Sequence, residues 1–378
     1  MRLSQDRTKS YVPFARVIAY EDGEVLTPSI VGFLGSGEAV VGRDVARRRS
    51  ELDPRYVVHD AKRFIGRQFE DPSVDLQAKE YSFKVVNNNS RAAFEVPLHQ
   101  KMLPETIGAL VVKKLVKIAA KDLGHEVITS AVICVPAAFG PEQIKATAEA
   151  FKLAGLRVAR ILKEPVAAAV AYGLNRVKGI DHILVYDFGG GTLDVSVLYV
   201  QDGSVEVVAN FGDNDLGGTD FDHCLAHTIH ERVATEKSDD SVTIKLLEEK
   251  DSLLDNCDEP SAFIRLAETL KIALTDSETA SIRCRRRENT VIEATVSRKA
   301  FETTLCGHLF DRAIKVVRDT LETSMIRSSE IDEVVLVGGT SRIPKVRTDL
   351  KLALNVSKLN TDIDPDITVA IGAASVID

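Results

Sequence analysis

The fold is decided by residues 185–196, which read VYDFGGGTLDVS. The run Ile183–Tyr186 predicts a buried β-strand, because every position in it is apolar. After the glycines, residues 194–200 are rich in β-branched side chains, and Asp202-Gly203 turns the chain into a similar run at 204–209. The glycines therefore join two strands of a hairpin, whereas a Rossmann or Walker loop would open a helix.

This glycine hairpin carries the residue types that a phosphate site requires. Gly189, Gly190 and Gly191 have no Cβ atoms, so their backbone N–H groups can approach an anion closely. Thr192 adds a hydroxyl donor, and Asp187 places a carboxylate at a strand end, where it suits magnesium. A lone glycine turn is explained equally well as an ordinary hairpin, so the neighbouring motifs must decide between the two interpretations.

Short apolar runs alternate with helical patterns along the chain, which is typical of α/β architecture. Residues 131–135 and 334–337 predict two more buried strands, and a glycine loop at 338–344 follows the second. Small-residue loops at the carboxyl ends of buried strands favour a ligand crevice. Helices are predicted over 107–118, from Pro141 to Gly155, from Pro165, after Pro344 and from Ser297 to about 317. The charged segment 238–260 predicts a helix and an exposed turn.

The charge balance and the hydropathy pattern exclude several classes of protein. Lys plus Arg total 48 against 56 Asp plus Glu, so the net charge is −8, which argues against a nucleic-acid-binding protein. The basic cluster 283–287 predicts a solvated hairpin tip. No stretch approaches the ~20 apolar residues that span a bilayer, and Met1–Ser10 has no apolar signal core. The sequence as written therefore predicts a soluble, cytoplasmic protein, and an endoplasmic-reticulum location would require a longer form with a signal peptide.

The cysteines predict neither a zinc site nor a disulfide framework. There are 5 of them, an odd number, and none forms a CxxC pair. Cys134 lies in an apolar run, where a small buried hydrophobic side chain is the default interpretation.

Four blocks in this order, residues 60–66, 162–173, 185–196 and 335–344, resemble the ATPase domain of the seventy-kilodalton heat-shock (Hsp70) family. The resemblance covers about residues 15 to 378. It implies an α/β chain with the actin/hexokinase-like (ribonuclease H-like) two-lobed ATPase fold, in which each lobe is a mixed sheet with flanking helices. We expect lobe I at 1–177, with a peripheral subdomain at about 29–104, and lobe II at 178–378, with a peripheral subdomain at about 218–300.

The resemblance also implies roles for individual residues. Lys62 matches the catalytic lysine beside the γ-phosphate, where it stabilises developing charge; Glu164 and Asp187 match the carboxylates that hold hydrated magnesium. Asp194 matches a carboxylate near the catalytic water or potassium ions, and Thr192 a phosphate-side hydroxyl. Gly189, Gly190 and Gly191 are expected to cradle phosphate. The residues expected around ribose and adenine are Gly217, Gly218, Glu268, Lys271, Thr275, Gly338, Gly339, Thr340, Arg342 and Asp366.

For four of these residues an ordinary structural role stays open. Lys62 is also explained as a surface lysine in an ion pair, and Glu164 as a helix N-terminal charge that the helix dipole favours. Glu268 and Lys271, at i and i+3, are also explained as a solvated salt bridge on one helix.

The chain departs from the family pattern at several points. The first phosphate motif, a strand followed by Asp-Leu-Gly-Thr-Thr, has no counterpart, because Met1–Phe14 contains no glycine. Its loss predicts weakened hydrolysis and exposed backbone groups in the first sheet. Ile272 replaces an arginine that stacks on adenine and Thr219 replaces an acidic residue, and both changes predict weaker affinity. The chain also lacks a peptide-binding domain, and in this it is similar to the family's microsomal ATPase-core member.

Three hypotheses follow from the resemblance. The first is an ATP-hydrolysing domain that binds ATP/ADP with magnesium and potassium in a protein-folding context, with J-domain proteins and nucleotide-exchange factors as partners. The second is a degenerate nucleotide switch or partner-binding scaffold without turnover. The third is a sugar kinase of the same superfamily. It is disfavoured because the sequences of the 60–66 and 335–344 blocks resemble those of the heat-shock family.

Overall fold

A computed structural model describes residues 15–20, 23–48, 51–79, 81–124, 127–248, 254, 257, 260–287 and 290–376. The described residues fall into two compact units. The N-terminal unit lies within Pro13–Ala167 and includes the chain from Ala373, and the C-terminal unit is Ala168–Gly372. The predicted absence of a phosphate loop from Met1–Phe14 concerns residues outside the described ranges. The predicted lobe limits at 177 and 178 remain a prediction.

The N-terminal unit contains short strands and the two long helices of its sequence pattern. Its strands are β1 (Ile30–Phe33), β2 (Ala39–Val41), β3 (Val57–His59), β4 (Val85–Asn88), β5 (Arg91–Val96), β6 (Gln100–Met102), β7 (Ser130–Val135) and β8 (Arg157–Lys163). Its helices are α1 (Arg43–Arg47), α2 (Pro72–Ala78), α3 (Pro104–Leu123), α4 (Pro141–Leu153) and α5 (Glu164–Ala171), the last of which continues past the unit boundary.

The N-terminal strands pair as three small sheets, with the orders β2-β1-β3, β4-β5-β6 and a parallel pair β7-β8. A turn at Gly35–Gly37 joins β1 and β2, and Gly37 N donates to the Leu34 carbonyl oxygen at 2.8 Å. Aromatic rings form much of the core: Phe64, Phe83 and Phe94 contact one another edge to face and are almost fully buried. Rings packed in this way add stability beyond their buried area. This core holds the chain around residues 60–66 in place.

The C-terminal unit contains the glycine hairpin. Its strands are β9 (His182–Phe188), β10 (Leu193–Gln201), β11 (Ser204–Asp213), β12 (Val242–Leu247), β13 (Thr279–Arg287), β14 (Thr290–Ser297) and β15 (Glu333–Val337). Its helices are α6 (Gly218–Thr235), α7 (Pro260–Asp276), α8 (Arg298–Ala300), α9 (Gly307–Ser324), α10 (Pro344–Leu354) and α11 (Thr368–Ala374).

The main sheet of this unit has the order β11-β10-β9-β15 and is mixed, because β15 runs parallel to β9 while β9, β10 and β11 pair antiparallel. Ile183, Leu184 and Val185 are almost fully buried, as the continuous apolar run predicts. The ends of β9 and β15 lie side by side, since Val337 pairs with Asp187. The glycines after each of these strands therefore start from neighbouring positions.

Two predictions about this unit are wrong. Residues 242–247, predicted as part of a helix and turn, form β12, which pairs antiparallel with β14; residues 249–253, 255–256 and 258–259 of that segment lie outside the described ranges. The helix predicted from Ser297 does begin there, with the Ser297 hydroxyl accepting from Ala300 N at 3.1 Å. A π-helical turn at Phe301–Leu305 then interrupts it before α9 begins.

The prediction from the cysteines is also wrong. Cys224 is bonded to Cys306, and Cys257 to Cys284, while Cys134 is a free thiol. The paired cysteines lie 82 and 27 residues apart in sequence, so neither pair has a local spacing that the sequence could reveal. Within the described part of the chain, no helix is both long and apolar enough to cross a membrane.

Candidate functional site

The glycine hairpin is held by donors from two other loops. The carbonyl oxygen of Gly189 accepts from Gly218 N at 3.0 Å and from Thr340 Oγ1 at 2.8 Å. The carbonyl oxygen of Gly190 accepts from the backbone N and the hydroxyl of Thr219, at 2.8 and 2.9 Å. Four hydrogen bonds thus fix the direction of two successive peptide planes.

These bonds also set the direction of the following amides. In a trans peptide the carbonyl and the next N–H point in opposite directions. The N–H groups of Gly190 and Gly191 are therefore oriented away from the loops that bind the carbonyls of Gly189 and Gly190. Gly190 is exposed, and a Cβ atom placed on it would meet nothing within 4 Å. The exposed Gly190 thus combines open space beside it with an amide turned away from these loops, an arrangement suited to an anion.

Two further glycines allow the three loops to touch through their backbones. A Cβ on Gly217 would lie 2.4 Å from the carbonyl oxygen of Gly190, and one on Gly338 would lie 2.3 Å from that of Phe188. Gly338 also has φ of +80°, a conformation that disfavours other residues. No side chain larger than hydrogen fits at either contact. These glycines therefore act as close-contact points between the hairpin, the start of α6 and the end of β15.

The turn after β15 carries an ion-paired cluster. Arg342 donates to Asp366 at 2.8 Å and to Asp364, and Gly338 N donates to the carbonyl oxygen of Pro365 at 3.1 Å. The hydrogen bonds and charges of the two carboxylates raise the pKa of Arg342 against the opposing effect of burial. A Cβ on Gly339 would lie 3.1 Å from Asp366 Oδ1. The predicted residues Gly338, Gly339, Arg342 and Asp366 are thus brought together.

Lys271 on α7 reaches the start of α6. Its ammonium donates to the carbonyl oxygen of Gly218 at 2.9 Å and to the Asp222 carboxylate at 2.8 Å. Both side chains of this pair are buried, 12% and 6% exposed. Burial raises the pKa of Asp222, Lys271 opposes that effect, and Glu268 reinforces it. Lys271 is therefore not the solvated i,i+3 partner of Glu268; it is bound to a carboxylate on another helix.

Thr275 lies one turn beyond Lys271, and its hydroxyl donates to the Lys271 carbonyl oxygen at 3.3 Å. Ile272, on the same helix, is 59% exposed.

Asp187 and Asp194 stand directly opposite each other across the hairpin, on β9 and β10, and both are half-buried. Residues at opposite register positions on antiparallel strands have Cβ atoms about 5 Å apart, and like charges placed there repel. A Cβ on Gly212, the other neighbour of Asp194, would lie 2.9 Å from its Oδ1. The pair places two acidic groups on one face at the glycine end of the hairpin.

In the N-terminal unit, the predicted residues Lys62 and Glu164 contact each other. Lys62 lies in a single turn of 3-10 helix, Ala61–Arg63, and its Nζ donates to Glu164 Oε1 at 2.9 Å. The lysine is 61% exposed and the glutamate 19% exposed. Glu164 is the first residue of α5, where the helix dipole favours a negative charge. The ion-pair and helix-terminus interpretations therefore both hold, and they leave the family roles open.

Cys134, at the end of β7, lies near this pair. Burial, reinforced by the negative charge of Glu164, raises the pKa of Cys134 to about 12. The side chain is half-buried, so it is more accessible than the apolar run predicted. At neutral pH it is a protonated thiol, which is a poor nucleophile.

Backbone geometry and packing fix the 60–66 block in this unit. Gly66 has φ of +69°, and a Cβ on it would lie 2.7 Å from the Cα of Gln143 at the start of α4. Asp60 is also left-handed, and its Oδ2 lies 3.0 Å from His59 Nδ1 and accepts from the Tyr81 hydroxyl at 3.3 Å. The hydrogen bond from His59 lowers the pKa of Asp60. These contacts fix the turn that carries Lys62.

Sequence reasoning missed two functional residues of the C-terminal unit. Asp222 was not singled out, although it lies four positions after Gly218 and so falls on the same helical face. Thr219 was expected only to weaken affinity, yet it supplies two of the donors that orient Gly190. Among the described residues, no group of three or more His, Cys, Asp or Glu side chains is arranged to hold a metal alone.

A comparison with protein-family models gives a match to the family described as Hsp70 protein, over residues 13–377. The chain belongs to the Hsp70 family. With this membership it has the actin/hexokinase-like ATPase fold, as the sequence predicted, and the mixed α/β sheets agree with it. Members of the Hsp70 family are ATPases, so membership supports the general kind of domain expected from the sequence, an Hsp70-type nucleotide-binding domain.

Proposed function

We propose that this Hsp70-family domain binds ATP and ADP with magnesium and hydrolyses ATP in a protein-folding context. The observation that carries the proposal is the orientation of the Gly190 amide, which points away from the loops that bind the Gly189 carbonyl, at an exposed glycine with open space beside it. Hydrogen bonds from Gly218 and Thr340 hold that orientation, so the amide is arranged before any ligand arrives. Such preorganised donors are what phosphate binding requires.

The residues present also fit magnesium. Magnesium usually keeps several waters and binds proteins through one or two carboxylates together with substrate phosphates. Asp187 and Asp194 supply two opposed, half-buried carboxylates on the strands that the glycine turn joins. When bound, the ion would neutralise phosphate charge. Asp187 is the metal-side residue in our proposal, and Asp194 lies next to it.

In the N-terminal unit we take the roles from the family. Lys62 stabilises charge that builds up on the γ-phosphate, and Glu164 holds hydrated magnesium. Their ion pair supports the assignment in one respect, because it brings the Lys62 ammonium and the Glu164 carboxylate to within 2.9 Å of each other. In the C-terminal unit we assign Lys271, Glu268, Arg342 and Asp366 to the ribose and adenine side. Thr192 is the phosphate-side hydroxyl.

Calorimetry with ADP, with and without magnesium, tests binding. We expect the heat of ADP binding to depend on magnesium, and we expect Asp187→Asn to reduce that dependence. Absence of heat in both conditions, together with an unchanged melting temperature, would refute the nucleotide site.

Single-turnover hydrolysis of ATP tests the enzymatic part. Lys62→Ala should abolish turnover and spare ADP affinity, because Lys62 acts on charge that develops during transfer. The matched control is Lys79→Ala, another exposed lysine of the N-terminal unit, which pairs only with Asp75 on its own helix. Equal turnover in Lys62→Ala and the native protein would remove Lys62 from the mechanism.

A second candidate function is nucleotide binding without turnover. It is favoured by Ile272, which is 59% exposed on α7 and cannot stack on a base as the family's arginine does. ADP binding in calorimetry without any single-turnover product would establish this function instead. Co-chaperone partners of the J-domain and nucleotide-exchange classes belong to either function.

We also propose that the domain works in an oxidising compartment such as the endoplasmic-reticulum lumen. The support is the pair of disulfides, since cytosolic thiol systems keep cysteines reduced. Trapping the protein from cells with an alkylating agent, followed by non-reducing electrophoresis, tests this proposal. A fully alkylated, reduced form would place the protein in the cytosol, as the sequence alone predicted.

A further inference from the structure

One of the two disulfides is attached to a helix that begins at the glycine hairpin, and the other lies next to the helix that carries Lys271. Cys224 lies on α6, whose first residues, Gly217 and Gly218, contact the glycine hairpin. Cys284 lies on β13, and its partner Cys257 precedes α7, the helix of Lys271. A nucleotide site built from loops depends on how firmly these helices are held, because an error of about 1 Å in position can strongly weaken function.

Cys224 is about two helical turns from Gly217, or about 10 Å along the axis at about 1.5 Å per residue. Its partner Cys306 is the N-cap of α9 and is fully buried. Helix α9 packs against β10 and β11 of the main sheet. The Cys224–Cys306 bond therefore connects the helix that positions Gly217 and Gly218 to the sheet that carries the glycine hairpin.

Hydrophobic packing also holds this helix, because Phe221, Leu225, Ile229 and Val233 are buried in the core along its length. The Phe221 ring lies 4.8 Å from Phe310 and 6.0 Å from Phe188, measured between ring centroids. Phe221 and Cys224 are separated by three positions, so they lie on the same face of α6. Loss of the disulfide thus leaves the packing of α6 in place and removes the covalent limit on its position near Gly217 and Gly218.

We propose that the Cys224–Cys306 disulfide is a positioning element of the nucleotide site, and that its reduction weakens ADP binding while the domain stays folded. The proposal rests on the nucleotide-binding function proposed above. It makes Cys224 and Cys306 positioning residues, since neither has to touch the ligand.

The chemistry of opening this bond is thiol–disulfide exchange with a dithiol. A thiolate of dithiothreitol attacks one sulfur, a mixed disulfide forms, and the second thiolate closes the reductant into its own cyclic disulfide. The S–S bond of the protein breaks, and two S–H bonds form as two electrons and two protons arrive from the reductant. Oxidation reverses these steps with a disulfide compound as the oxidant.

The two disulfides differ in access. Cys257 and Cys284 are 4% and 1% exposed, whereas Cys224 is half-buried. A reductant needs to reach a sulfur atom, so the native protein should lose the Cys224–Cys306 bond first. Peptide mapping after alkylation identifies which pair has opened at each concentration of dithiothreitol.

The experiment measures ADP affinity, with magnesium present, in oxidised and partially reduced protein. If reduction leaves about a tenth of the molecules with α6 correctly placed, the apparent affinity falls about tenfold. Cys224→Ala/Cys306→Ala should bind with the weakened affinity and should not respond to dithiothreitol. Cys134→Ser, which removes the free thiol of the N-terminal unit, is the matched control and should respond like the native protein.

Hydrogen exchange distinguishes positioning from general stability. Reduction should speed exchange in the first turns of α6 and leave β9 unchanged. Equal ADP affinity in the two redox states, or uniformly faster exchange through the C-terminal unit, would overturn this inference alone. Five free thiols in the denatured, unreduced protein would overturn it as well. Oxidised protein that binds no ADP would overturn the proposed function, and this inference with it.

Discussion

The buried pair of Lys271 and Asp222 offers the sharpest test of the C-terminal half of the site. Lys271→Met removes the ammonium but keeps an unbranched side chain of similar length, and it leaves the Asp222 carboxylate 6% exposed without its partner. Breaking a fully buried ion pair costs about 3–5 kcal/mol. Lys271 is itself 12% exposed, so water can reach the carboxylate after the substitution. We therefore expect a loss of about 2–3 kcal/mol in the free energy of unfolding.

The pH dependence of this loss has a definite sign. Burial already raises the pKa of Asp222, and removal of Lys271 takes away the main opposing effect. A carboxyl group whose pKa is higher in the folded than in the unfolded state favours folding when it is protonated. The free energy of unfolding therefore falls as the pH rises from the pKa of the unfolded state through the pKa of the folded state. The destabilisation by Lys271→Met should therefore be largest near pH 8 and should shrink towards about pH 4.

Urea unfolding at both pH values measures this effect. Asp222→Asn/Lys271→Met should recover most of the loss, because no unpaired charge remains. Lys315→Met is the matched control. Lys315 forms an ion pair with Asp319 on α9, but its side chain is 71% exposed, so we expect the free energy of unfolding to change by at most about 0.5 kcal/mol. The reasoning fails if Lys271→Met destabilises equally at both pH values, or if the double variant is no more stable than the single one.

Three further predictions follow. Gly338→Ala should lose about 2–4 kcal/mol of stability and abolish ADP binding in calorimetry, because its Cβ would meet the Phe188 carbonyl oxygen at 2.3 Å and its φ is +80°. Gly203→Ala, with φ of +84° but no atom nearer than 3.7 Å, should lose only about 1 kcal/mol in the same denaturation assay; equal losses would contradict the contact argument. Thr340→Val should lower the free energy of unfolding by about 1–2 kcal/mol and weaken ADP binding, because the Gly189 carbonyl loses a donor at 2.8 Å. An unchanged ADP affinity would show that this hydrogen bond does not contribute to the nucleotide site. Cys134 should react with iodoacetamide slowly at pH 7.5 and faster above about pH 10, because its pKa is raised to about 12; rapid reaction at neutral pH would contradict that shift.

The sequence predicted the main sheet and the glycine hairpin because their signals are local. Ile183–Tyr186 is continuously apolar, and Asp202-Gly203 marks the turn between β10 and β11. Each signal lies within a few residues of the structure that it specifies. The C-terminal strand β15 was predicted for the same reason.

The rest depends on contacts between distant segments. Strand β12 lies in a charged stretch, and its pairing with β14 decides its conformation. Lys271 and Asp222 are 49 positions apart, and the two disulfides join cysteines 82 and 27 positions apart. No local pattern encodes these distances. The family resemblance named the glycines around the nucleotide, but it did not reveal that Gly217 and Gly338 serve as points where two backbones meet.

The meeting of three loops through their backbones has a consequence for how this site can evolve. Gly217 meets Gly190, and Gly338 meets Phe188, through main-chain atoms, so mutation has no side chain there to adjust. Helix α7 presents Ile272 to solvent, where almost any residue can be accommodated. Under the proposed function, the phosphate side of the site would be fixed by these contacts, and selection for a different nucleotide would act on the exposed face of α7.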